Sequence, residues 1–432
     1  MTRKMKDSGI EWIGMIPEGW EVCSLKNISS IVRGGSPRPI EEYMSQDDNG
    51  YNWIRIGDSV KGSKYINSTL RKLIPNGLSK TRFVKKGSLI LSNSMSFGEP
   101  YILNIDGCIH DGWVALTEIS IEKDFLYYFL LSDFAKIQFE QQVSGGVVQN
   151  LNISKIGSTL IVIPNKHEQH RIAAYLDATC AQIDEVLEKT RASIEEYKKL
   201  KQAVITQAVT KGIRPGRKMK DSGIEWIGEI PEEWEVTRLK NICEIVDCKN
   251  RTPDNISDGE YTVVRTTCIR DGSFSYVGSY QTDHNNFIGW TLKGQPRRGD
   301  IFFTREAPVG EACLVPDSDK LCMGQRVMYF RPDNNNDSRF IMYSIYGKIV
   351  RQYIELKNIG STVAHLKLGQ VADIPILTPT LSEQIEIANH LDAKCAEIDT
   401  LIAKKQQLLA ELESYKKSLI FEYVTGKKEV LG

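Results

Sequence analysis

The chain carries one stretch twice: KMKDSGIEWIGMIPEGWEVCSLKNI at residues 4–28 and KMKDSGIEWIGEIPEEWEVTRLKNI at residues 218–242. Twenty-one of these 25 positions are identical at an offset of 214. A second pair lies downstream, where residues 168–184 and 383–399 share 11 of 17 positions at an offset of 215. Such a long, regular repeat predicts two copies of one structural unit, each with the same order of parts.

The two repeated blocks set the predicted domain boundaries, and the segments between them diverge. We predict an N-terminal block (1–28), a first variable domain (29–165), a central helix (166–213), a repeated block (214–242), a second variable domain (243–380) and a C-terminal helix (381–428). Nearly identical blocks on either side of two divergent segments indicate one shared scaffold that carries two different variable domains. Binding sites usually lie in variable loops on such a scaffold.

The helical segments have apolar residues at heptad spacing and contain no proline. In the first, one heptad position holds Leu176, Ile183, Thr190, Tyr197 and Val204, and its partner holds Ile172, Thr179, Val186, Ser193 and Leu200. Leu187 and Ile194 widen this stripe. In the second, the apolar stripe is Leu391, Ile398, Leu401, Leu408, Leu412, Tyr415 and Leu419. Gly212 and Gly426 stand where C-terminal caps are expected.

Each helix would have roughly 40 residues and extend ~60 Å. A lone helix with one apolar stripe needs a partner. The simplest partner is the other helix, and a pseudo-two-fold axis would pair them antiparallel. The alternative is that each helix packs only on its own globular domain.

The interiors predict two α+β domains. Short runs such as Ser88–Leu91 and Asp300–Phe303 are bounded by glycine and polar turns, which is typical of strands. Residues 125–139 and 339–356 each predict one amphipathic helix. The predicted fold class is therefore α+β, with two similar α+β domains separated by two long antiparallel coiled-coil helices and related by internal pseudo-symmetry.

Composition excludes several classes of protein. The 55 basic and 55 acidic residues give a net charge of zero, and 41% of residues are apolar. This balance argues against a disordered chain and against nucleic-acid binding by bulk positive charge. Nine cysteines without a C-x-x-C pattern predict free thiols in a reducing cytoplasm. No apolar run approaches a membrane span, and the N-terminus lacks the apolar segment of a signal peptide.

The sequence gives no positive sign of catalysis. It has no P-loop pattern, no G-x-G-x-x-G after a strand and no Pro-Pro pair of an amino-methyltransferase motif. Cys243 with Cys248 could be a fragment of a metal site, and His167 with His170 could hold a metal at a helix start. Core thiols and surface histidines are the preferred interpretations. The acids in residues 317–320 favour a turn over a nuclease centre.

A basic segment supports DNA binding. Residues 51–90 hold nine bases and one acid, with aromatic residues between them, whereas residues 261–300 hold five bases and three acids. Such a segment suits phosphate contacts combined with base recognition, although a solvated lysine-rich face is the alternative. The candidate DNA-binding residues are Arg33, Ser36, Arg38, Arg55, Lys61, Lys64, Asn93, Ser94, Ser96, Lys249, Arg251, Arg265, Thr304, Arg305 and Glu306.

The repeated motifs resemble a known family, the specificity subunits of type I restriction–modification enzymes. The resemblance rests on the twin D-S-G-I-E-W-I-G-x-I-P-x-x-W-E-V blocks at 7–22 and 221–236. It also rests on the E-Q-x-x-I-A helix starts at Glu168 and Glu383, and on the helix end from Tyr415 to Lys427. These motifs recur in order across the whole chain. They belong to the scaffold and name no base contact.

The resemblance implies a non-catalytic prokaryotic cytoplasmic protein without a cofactor of its own. Its two variable domains would be target-recognition domains that each read one half of a split double-stranded DNA site. The partners would be two modification subunits, which use S-adenosylmethionine, and restriction subunits, which use ATP and Mg²⁺. The family's circular pseudo-symmetry further predicts that the two chain ends lie close together.

Two other functions remain open from the residues alone. The chain could be a coiled-coil adaptor whose divergent domains bind proteins, or an enzyme with a degenerate site. DNA binding in the presence of a modification subunit separates the first alternative from the DNA reader. Activity of the chain without partners would favour the second.

Overall fold

A computed structural model of the chain describes residues 3–46, 49–94, 97–143, 151–249, 251–359 and 364–430. The chain forms two compact units. Unit 1 consists of residues 1–191 together with 407–432, and unit 2 consists of residues 192–406. Unit 1 is therefore built from both ends of the chain, whereas unit 2 is continuous.

Unit 1 contains 13 strands in the part of the chain that the structure describes. They are β1 (Met5–Asp7), β2 (Met15–Pro17), β3 (Glu21–Ser24), β4 (Ser30–Arg33), β5 (Tyr51–Ile54), β6 (Tyr65–Ile66), β7 (Lys72–Leu73), β8 (Arg82–Val84), β9 (Leu89–Ser92), β10 (Pro100–Leu103), β11 (Gly107–Ile109), β12 (Trp113–Thr117) and β13 (Leu160–Ile163). The two main sheets have the orders β4-β12-β9-β10-β6 and β7-β5-β11-β8. Two hairpin-like pairs, β1-β2 and β13-β3, complete the unit.

Unit 2 repeats this plan with smaller sheets. Its strands are β14 (Met219–Asp221), β15 (Glu229–Pro231), β16 (Glu235–Arg238), β17 (Cys243–Val246), β18 (Tyr261–Val264), β19 (Ile269–Arg270), β20 (Ser273–Phe274), β21 (Tyr280–Thr282), β22 (Ile301–Thr304), β23 (Ala312–Leu314), β24 (Leu321–Met323), β25 (Val327–Pro332) and β26 (Pro375–Thr378). The main sheets have the orders β17-β25-β22-β23 and β21-β18-β24. The pairs β14-β15 and β16-β26 match β1-β2 and β13-β3 of unit 1.

Nine α-helices lie in the described residues, and two of them are long. They are α1 (Lys123–Leu131), α2 (Asp133–Val143), α3 (Ile153–Ser158), α4 (Lys166–Lys211), α5 (His284–Thr291), α6 (Ser338–Tyr346), α7 (Lys348–Lys357), α8 (Leu368–Ala372) and α9 (Leu381–Val424). Mixed sheets with helices confirm the predicted α+β class.

The prediction of one amphipathic helix over 125–139 and one over 339–356 was wrong, because each of these two segments contains two helices. Ser132 separates α1 from α2 with an extended ψ of 151°, and Gly347 separates α6 from α7 with a ψ of 155°. The two breaks are equivalent at the repeat offset of 215. A one-residue break leaves the apolar periodicity almost intact, so the pattern does not reveal it.

The long helices α4 and α9 run antiparallel in each unit, as predicted. In unit 1, Lys416 Nζ donates to both carboxylate oxygens of Asp184 at 2.6 and 2.7 Å. In unit 2, Lys201 Nζ donates to Asp399 at 2.8 and 2.7 Å. A second contact in each unit gives the direction: the rings of Tyr175 and Tyr423 lie 4.6 Å apart in unit 1, and Lys405 Nζ lies 5.7 Å from the centroid of Tyr197 in unit 2. Within each unit, residue numbers therefore rise along one helix as they fall along the other, which defines the antiparallel pairing.

The predicted apolar stripes were only partly right. In α4, Leu176 and Ile183 are buried, but Val186 and Leu200 are 45% and 48% exposed. Leu187 and Ile194, which were predicted to widen the stripe, are buried, and so is Cys180 at the same heptad position. In α9, Leu408 and Tyr415 are also exposed, at 41% and 53%. Apolar spacing in the sequence allows either of two neighbouring heptad positions to be the buried one. Which of them is buried depends on the packing of the folded chain.

Each repeated block is fixed to the start of a long helix by the same three side chains. Trp20 Nε1 donates to Glu168 at 3.0 Å, and Arg3 pairs with the same carboxylate. In unit 2, Trp234 Nε1 donates to Glu383 at 3.2 Å, and Arg217 pairs with that carboxylate. The two arginines lie over the indole rings at 5.3 and 5.4 Å. We call these two arrangements the Trp–Glu locks.

The two chain ends meet in unit 1, which confirms the prediction of circular pseudo-symmetry. Lys427 Nζ donates to the carbonyl oxygens of Ile13 and Met15, each at 2.7 Å. Gly426, just after α9, has a φ of +72°, and a Cβ there would lie 2.5 Å from Pro17. Only glycine fits this left-handed cap without strain.

The core of unit 1 fills the space between its sheets, α1 and the ends of α4 and α9. Trp20 and Phe125 belong to this core, together with Leu176 from α4 and Leu419 from α9. In unit 2, Trp234 occupies the corresponding place. All nine cysteines are free thiols, and eight are buried. None of the helices in the described residues is both long and apolar enough to cross a membrane.

Candidate nucleic-acid interface

Three loops of unit 1 meet where β4, β9 and β11 end. Ser36 Oγ donates to Asp111 Oδ1 at 2.7 Å, and Arg33 Nε donates to the Asp111 carbonyl at 3.2 Å. Asn93 Nδ2 donates to the same carbonyl at 3.2 Å, and Asn93 N donates to Gly112 O at 2.9 Å. We call the described residues of 33–38, 93–94 and 110–112 the first loop cluster. The structure therefore brings together the predicted Arg33, Ser36 and Asn93.

The equivalent loops of unit 2 meet in the same way, where β17, β22 and β24 end. Arg305 Nη1 donates to Asp247 Oδ2 at 3.0 Å, and Arg305 N donates to Arg326 O at 3.1 Å. Arg326 N in turn donates to Cys248 Sγ at 3.3 Å. We call the described residues of 247–251, 305–310 and 324–326 the second loop cluster.

A shared backbone pattern relates the two clusters. Asn93 O accepts from Leu151 N at 3.1 Å, and Arg305 O accepts from Leu366 N at 3.0 Å. The hydrogen bond from Asn93 N to Gly112 O corresponds to that from Arg305 N to Arg326 O. The backbone framework is therefore the same, while the side chains on it differ.

His110 is the central titratable group of the first loop cluster. Its Nδ1 accepts from Gly112 N at 2.9 Å, and its Nε2 lies 2.9 Å from Asp111 Oδ1. Burial lowers the pKa of His110; the Asp111 carboxylate opposes this shift, and the charges of Arg55 and Arg38 add to it. The ring is therefore neutral near pH 7, with Nδ1 as acceptor and Nε2 as donor in this arrangement.

Exposed bases lie along residues 51–90, and two of them adjoin the first loop cluster. Lys80 lies against it, because a Cβ on Gly35 would approach the Lys80 carbonyl to 2.8 Å. Arg82 of β8 pairs in register with Ile109, next to His110. Six exposed bases of the segment have no carboxylate partner among the described residues: Lys61, Arg71, Lys80, Arg82, Lys85 and Lys86. Arg33 and Arg38 are exposed as well. This surface suits phosphate contacts.

Lys64 does not belong to that exposed surface. Its side chain is 12% exposed, and its ammonium lies 2.7 Å from Asp124 and in contact with Asp177. It also lies 5.2 and 5.1 Å from the ring centroids of Tyr127 and Tyr128. The structure thus assigns Lys64 to the interior of unit 1, where it ties a loop to α1 and α4.

Two bases of the second loop cluster, Lys249 and Arg251, lie over one indole ring. Lys249 Nζ lies 4.7 Å and the Arg251 guanidinium 5.9 Å from the centroid of Trp290. Trp290 Nε1 donates to the Arg251 carbonyl at 3.1 Å. Cation–π contacts fix these two charges near the loops that follow β17. Arg265 stands outside the cluster, exposed after β18, as Arg55 stands after β5.

The remaining predicted residues divide between the interior and the loop surface. Thr304 is fully buried, and its hydroxyl donates to Pro308 O at 2.6 Å and accepts from Glu311 N at 3.0 Å. It therefore supports the loop from within and does not face a ligand. Asn93 is 4% exposed and Ser94 is half-buried. Ser96 lies outside the described residues.

Sequence reasoning missed His110, Asp111 and Arg326. These residues follow β11 and β24, which have three residues each and give too short a strand pattern to notice. The repeat would have helped, because both strands precede the longer apolar runs of β12 and β25. Their contacts with loops up to 78 positions away exist only in the folded chain.

The alternative metal sites find no support in the described residues. Cys243 is buried, and burial with the nearby Asp333 carboxylate raises the pKa of its thiol. His167 and His170 are exposed at the start of α4. In the described parts of the chain, no three His, Cys, Asp or Glu side chains are grouped so that they could hold a metal ion.

Comparison with known proteins gives a consistent result along the chain. The family model of the type I restriction modification DNA specificity domain matches twice, at residues 17–196 and 231–413. A protein assigned as the specificity subunit of the type I restriction enzyme MjaX of Methanocaldococcus jannaschii is 27% identical, covering 97% of this chain and 96% of its own length. The EcoBI specificity subunit of Escherichia coli is 23% identical over 99% of this chain and 90% of its own length.

The fold is also found among solved structures. A chain from a study of complex assembly and conformational transition of the type I R-M system has a TM-score of 0.72, at 17% identity, covering 96% of this chain and 99% of its own length. The HsdS subunit from Thermoanaerobacter tengcongensis has a TM-score of 0.50 at 17% identity, covering 96% of this chain and 98% of its own. The chain belongs to the type I restriction–modification DNA specificity family.

Proposed function

We propose that this chain is the DNA-sequence-specificity subunit of a type I restriction–modification enzyme, and that each unit reads one half of a split DNA site. The observation that carries this proposal is the pair of loop clusters. They share one backbone framework but hold different side chains, with His110 and Asp111 in one and Arg305 and Arg326 in the other. Two loop clusters with the same backbone hydrogen bonds but different side chains suit the recognition of two different DNA sequences.

The test is co-expression of the full chain with its modification subunit, followed by methylation mapping of the host DNA. We expect a split site whose two halves differ in sequence. A strictly palindromic site would contradict the assignment of different readers. A protein-binding adaptor would leave the DNA without a chain-dependent methylation pattern, and a gel shift with the assembled complex would then detect no specific binding.

We also propose that the chain itself is the non-catalytic reader, working in the prokaryotic cytoplasm. In this scheme the modification subunits bind S-adenosylmethionine, and the restriction subunits bind ATP and Mg²⁺. Family membership supports the division of labour. Incubation of the purified chain alone with DNA and S-adenosylmethionine is expected to give no methyl transfer. Methylation by the isolated chain would contradict this part of the proposal.

The long helices offer two equivalent surfaces for the modification subunits. Leu200 and Tyr415 occupy the same position of the repeat, at an offset of 215, and are 48% and 53% exposed. Leu200 lies in unit 2 and Tyr415 in unit 1. Two exposed apolar side chains at matching sites suit two copies of one partner.

Substitution tests this docking role directly. We expect Leu200→Glu and Tyr415→Glu each to remove one modification subunit from the assembled complex, as measured by native mass spectrometry. Lys199→Glu is the matched control, because Lys199 is exposed on the same helix and pairs with its neighbour Glu196 at 2.9 Å. Unchanged stoichiometry in both variants would place the docking surface elsewhere.

A further inference from the structure

Arg326 has a backbone conformation that its side chain does not favour. Its φ is +75°, in the left-handed region that costs free energy for any residue with a Cβ. Asp271 also has a positive φ, of 48°, but it lies in the two-residue turn between β19 and β20, where aspartate commonly adopts this conformation. Arg326 is the third residue of a turn that Val327 N closes by donating to Gly324 O at 3.4 Å, and a positive φ at that position favours glycine over arginine.

The framework of the loop does not require an arginine at this position. Arg326 O accepts from Arg305 N at 3.1 Å, and Gly112 O accepts the equivalent bond from Asn93 N at 2.9 Å in unit 1. The same framework is thus completed by glycine in one unit and by arginine in the other. Strained positions that the fold does not need are typical of functional sites.

The Arg326 side chain lies beside Glu306 and makes an ion pair without a hydrogen bond. Its Nε is 3.1 Å from Glu306 Oε2, and the two side chains are 44% and 28% exposed. Nε itself is buried, and its N–H is not aligned with the carboxylate. A half-exposed pair of this kind contributes little to stability. The ion pair therefore does not account for the strained backbone.

The donors of Arg326 are free to meet a ligand. Its terminal amino groups have no hydrogen-bond partner among the described residues. The backbone is held at both sides, since its N–H donates to Cys248 Sγ at 3.3 Å. The next residue in that loop is Lys249, which lies over Trp290 with Arg251. A guanidinium on a held backbone, in the same loop cluster as two tethered cations, suits a base edge flanked by phosphates.

We infer that Arg326 is a specificity-determining residue of unit 2 and reads a guanine in the half-site of that unit. The inference rests on the proposed function. A guanidinium presents two parallel donors, which match the O6 and N7 acceptors that guanine exposes in the major groove. Glu306 acts as a positioning residue, because its carboxylate attracts the Nε edge and leaves the two terminal amino groups without a hydrogen-bond partner among the described residues.

Arg326→Gly tests this inference in the full chain co-expressed with its modification subunit. Glycine relieves the strained φ, so we expect the thermal midpoint to stay at or above that of the wild-type chain. Methylation mapping should show one guanine position in one half-site relaxed to other bases, with the other half-site unchanged. A lost bidentate contact predicts a loss of discrimination at that base pair of about 5- to 150-fold.

Arg298→Gly is the matched control, because Arg298 forms an exposed pair with Asp317 at 3.4 Å before the start of β22, away from the loops. It should leave both half-sites unchanged. Arg326→Ala is the second variant and should relax the same position even if Arg326→Gly folds poorly. Three results would overturn the inference: unchanged half-sites, uniform weakening at all sites as for a phosphate contact, or a wild-type half-site pair without guanine at the relaxed position. In each of these cases, a wild-type DNA site that is split into two halves would still support the proposed function, so that only the role of Arg326 would be rejected.

Discussion

Substitution of Lys64 tests whether a lysine of the basic segment contacts DNA or stabilises the interior of unit 1. It lies in the most basic segment of the chain, which favours phosphate binding, but the structure places its ammonium between Asp124 and Asp177. Tyr128 OH donates to Asp177 at 2.6 Å and completes the group. We expect Lys64→Met, which keeps the length of the side chain, to destabilise unit 1 and to leave the salt dependence of DNA binding unchanged.

The expected loss of stability follows from exposure. The Lys64 side chain is only 12% exposed, whereas Asp124 and Asp177 are 31% and 43% exposed. Breaking a fully buried pair costs about 3–5 kcal/mol, and an exposed pair is worth about 0–1 kcal/mol. The partly solvated carboxylates place Lys64→Met between these limits, at about 2–3 kcal/mol. For a unit of 217 residues this predicts a thermal midpoint lower by about 4–12 °C.

Lys61→Met is the matched control, three positions earlier in the same loop. Lys61 is exposed and has no carboxylate partner among the described residues, so its replacement should change the midpoint by no more than about 2 °C. If Lys61 contacts a phosphate, the slope of log K against log salt for the assembled complex should become shallower by about 0.9.

Calorimetry of the full chain and salt titration of the complex on its target DNA provide the two measurements. The reasoning fails if Lys64→Met melts like the wild-type chain. It also fails if that variant reduces the salt slope while Lys61→Met does not, because the phosphate contact would then belong to Lys64.

Three further predictions concern the core, the chain ends and the helices. Burial raises the pKa of the Cys108 and Cys180 thiols to about 11. The unfolded chain therefore loses these two protons at a lower pH than the folded chain does. The contribution of the protonated thiols to the free energy of unfolding is complete below the unfolded pKa and is lost as the pH rises towards 11. The urea concentration at the unfolding midpoint should therefore decrease as the pH is raised from 8 to 10.5, and Cys108→Ala should make this decrease smaller. A midpoint that does not change with pH would contradict the prediction. Joining the two chain ends by a short linker and opening the exposed turn at Gly216 should preserve the fold, because Lys427 already ties α9 to the N-terminal block; circular dichroism of an unfolded permutant would refute this. Inserting four residues at 189–192 adds about 6 Å of helix, and methylation mapping should show a changed gap between unchanged half-sites, whereas an unchanged gap would refute the role of the helices in spacing.

The architecture could be predicted from the sequence because its causes are periodic. The repeat fixed the number of units, and heptad spacing predicted the antiparallel helices. The breaks within helices and the choice of buried positions on the long helices were harder to predict from the sequence. Ser132 and Gly347 interrupt helices by a single extended residue, and Val186 is exposed although it fits the apolar stripe. Such choices depend on which neighbours pack, and a pattern of apolar residues contains no information about them.

The candidate site was less predictable, because its contacts join distant loops. The predicted Arg33, Ser36 and Asn93 do meet, through a carbonyl and a carboxylate of Asp111 that no local pattern indicates. Residue type alone also placed Thr304 among the candidate DNA contacts, but it is fully buried. Burial is decided by the whole fold, so a polar side chain after a strand can support a loop or face a ligand with the same sequence signal.

The Trp–Glu locks give a physical cause for part of the likeness between the two halves of the chain, namely the Trp, Arg and Glu that recur in both. Glu383 is 7% exposed, and its carboxylate is satisfied by Trp234 and Arg217 together. Losing either partner would leave a buried charge incompletely paired, so the three residue types can only change together. The loop clusters carry a weaker constraint, because Asn93 and Arg305 complete the same backbone hydrogen bonds although their side chains differ. A chain built in this way can change what each unit reads without disturbing the helices that hold it, and this accounts for identical scaffolds beside divergent loops.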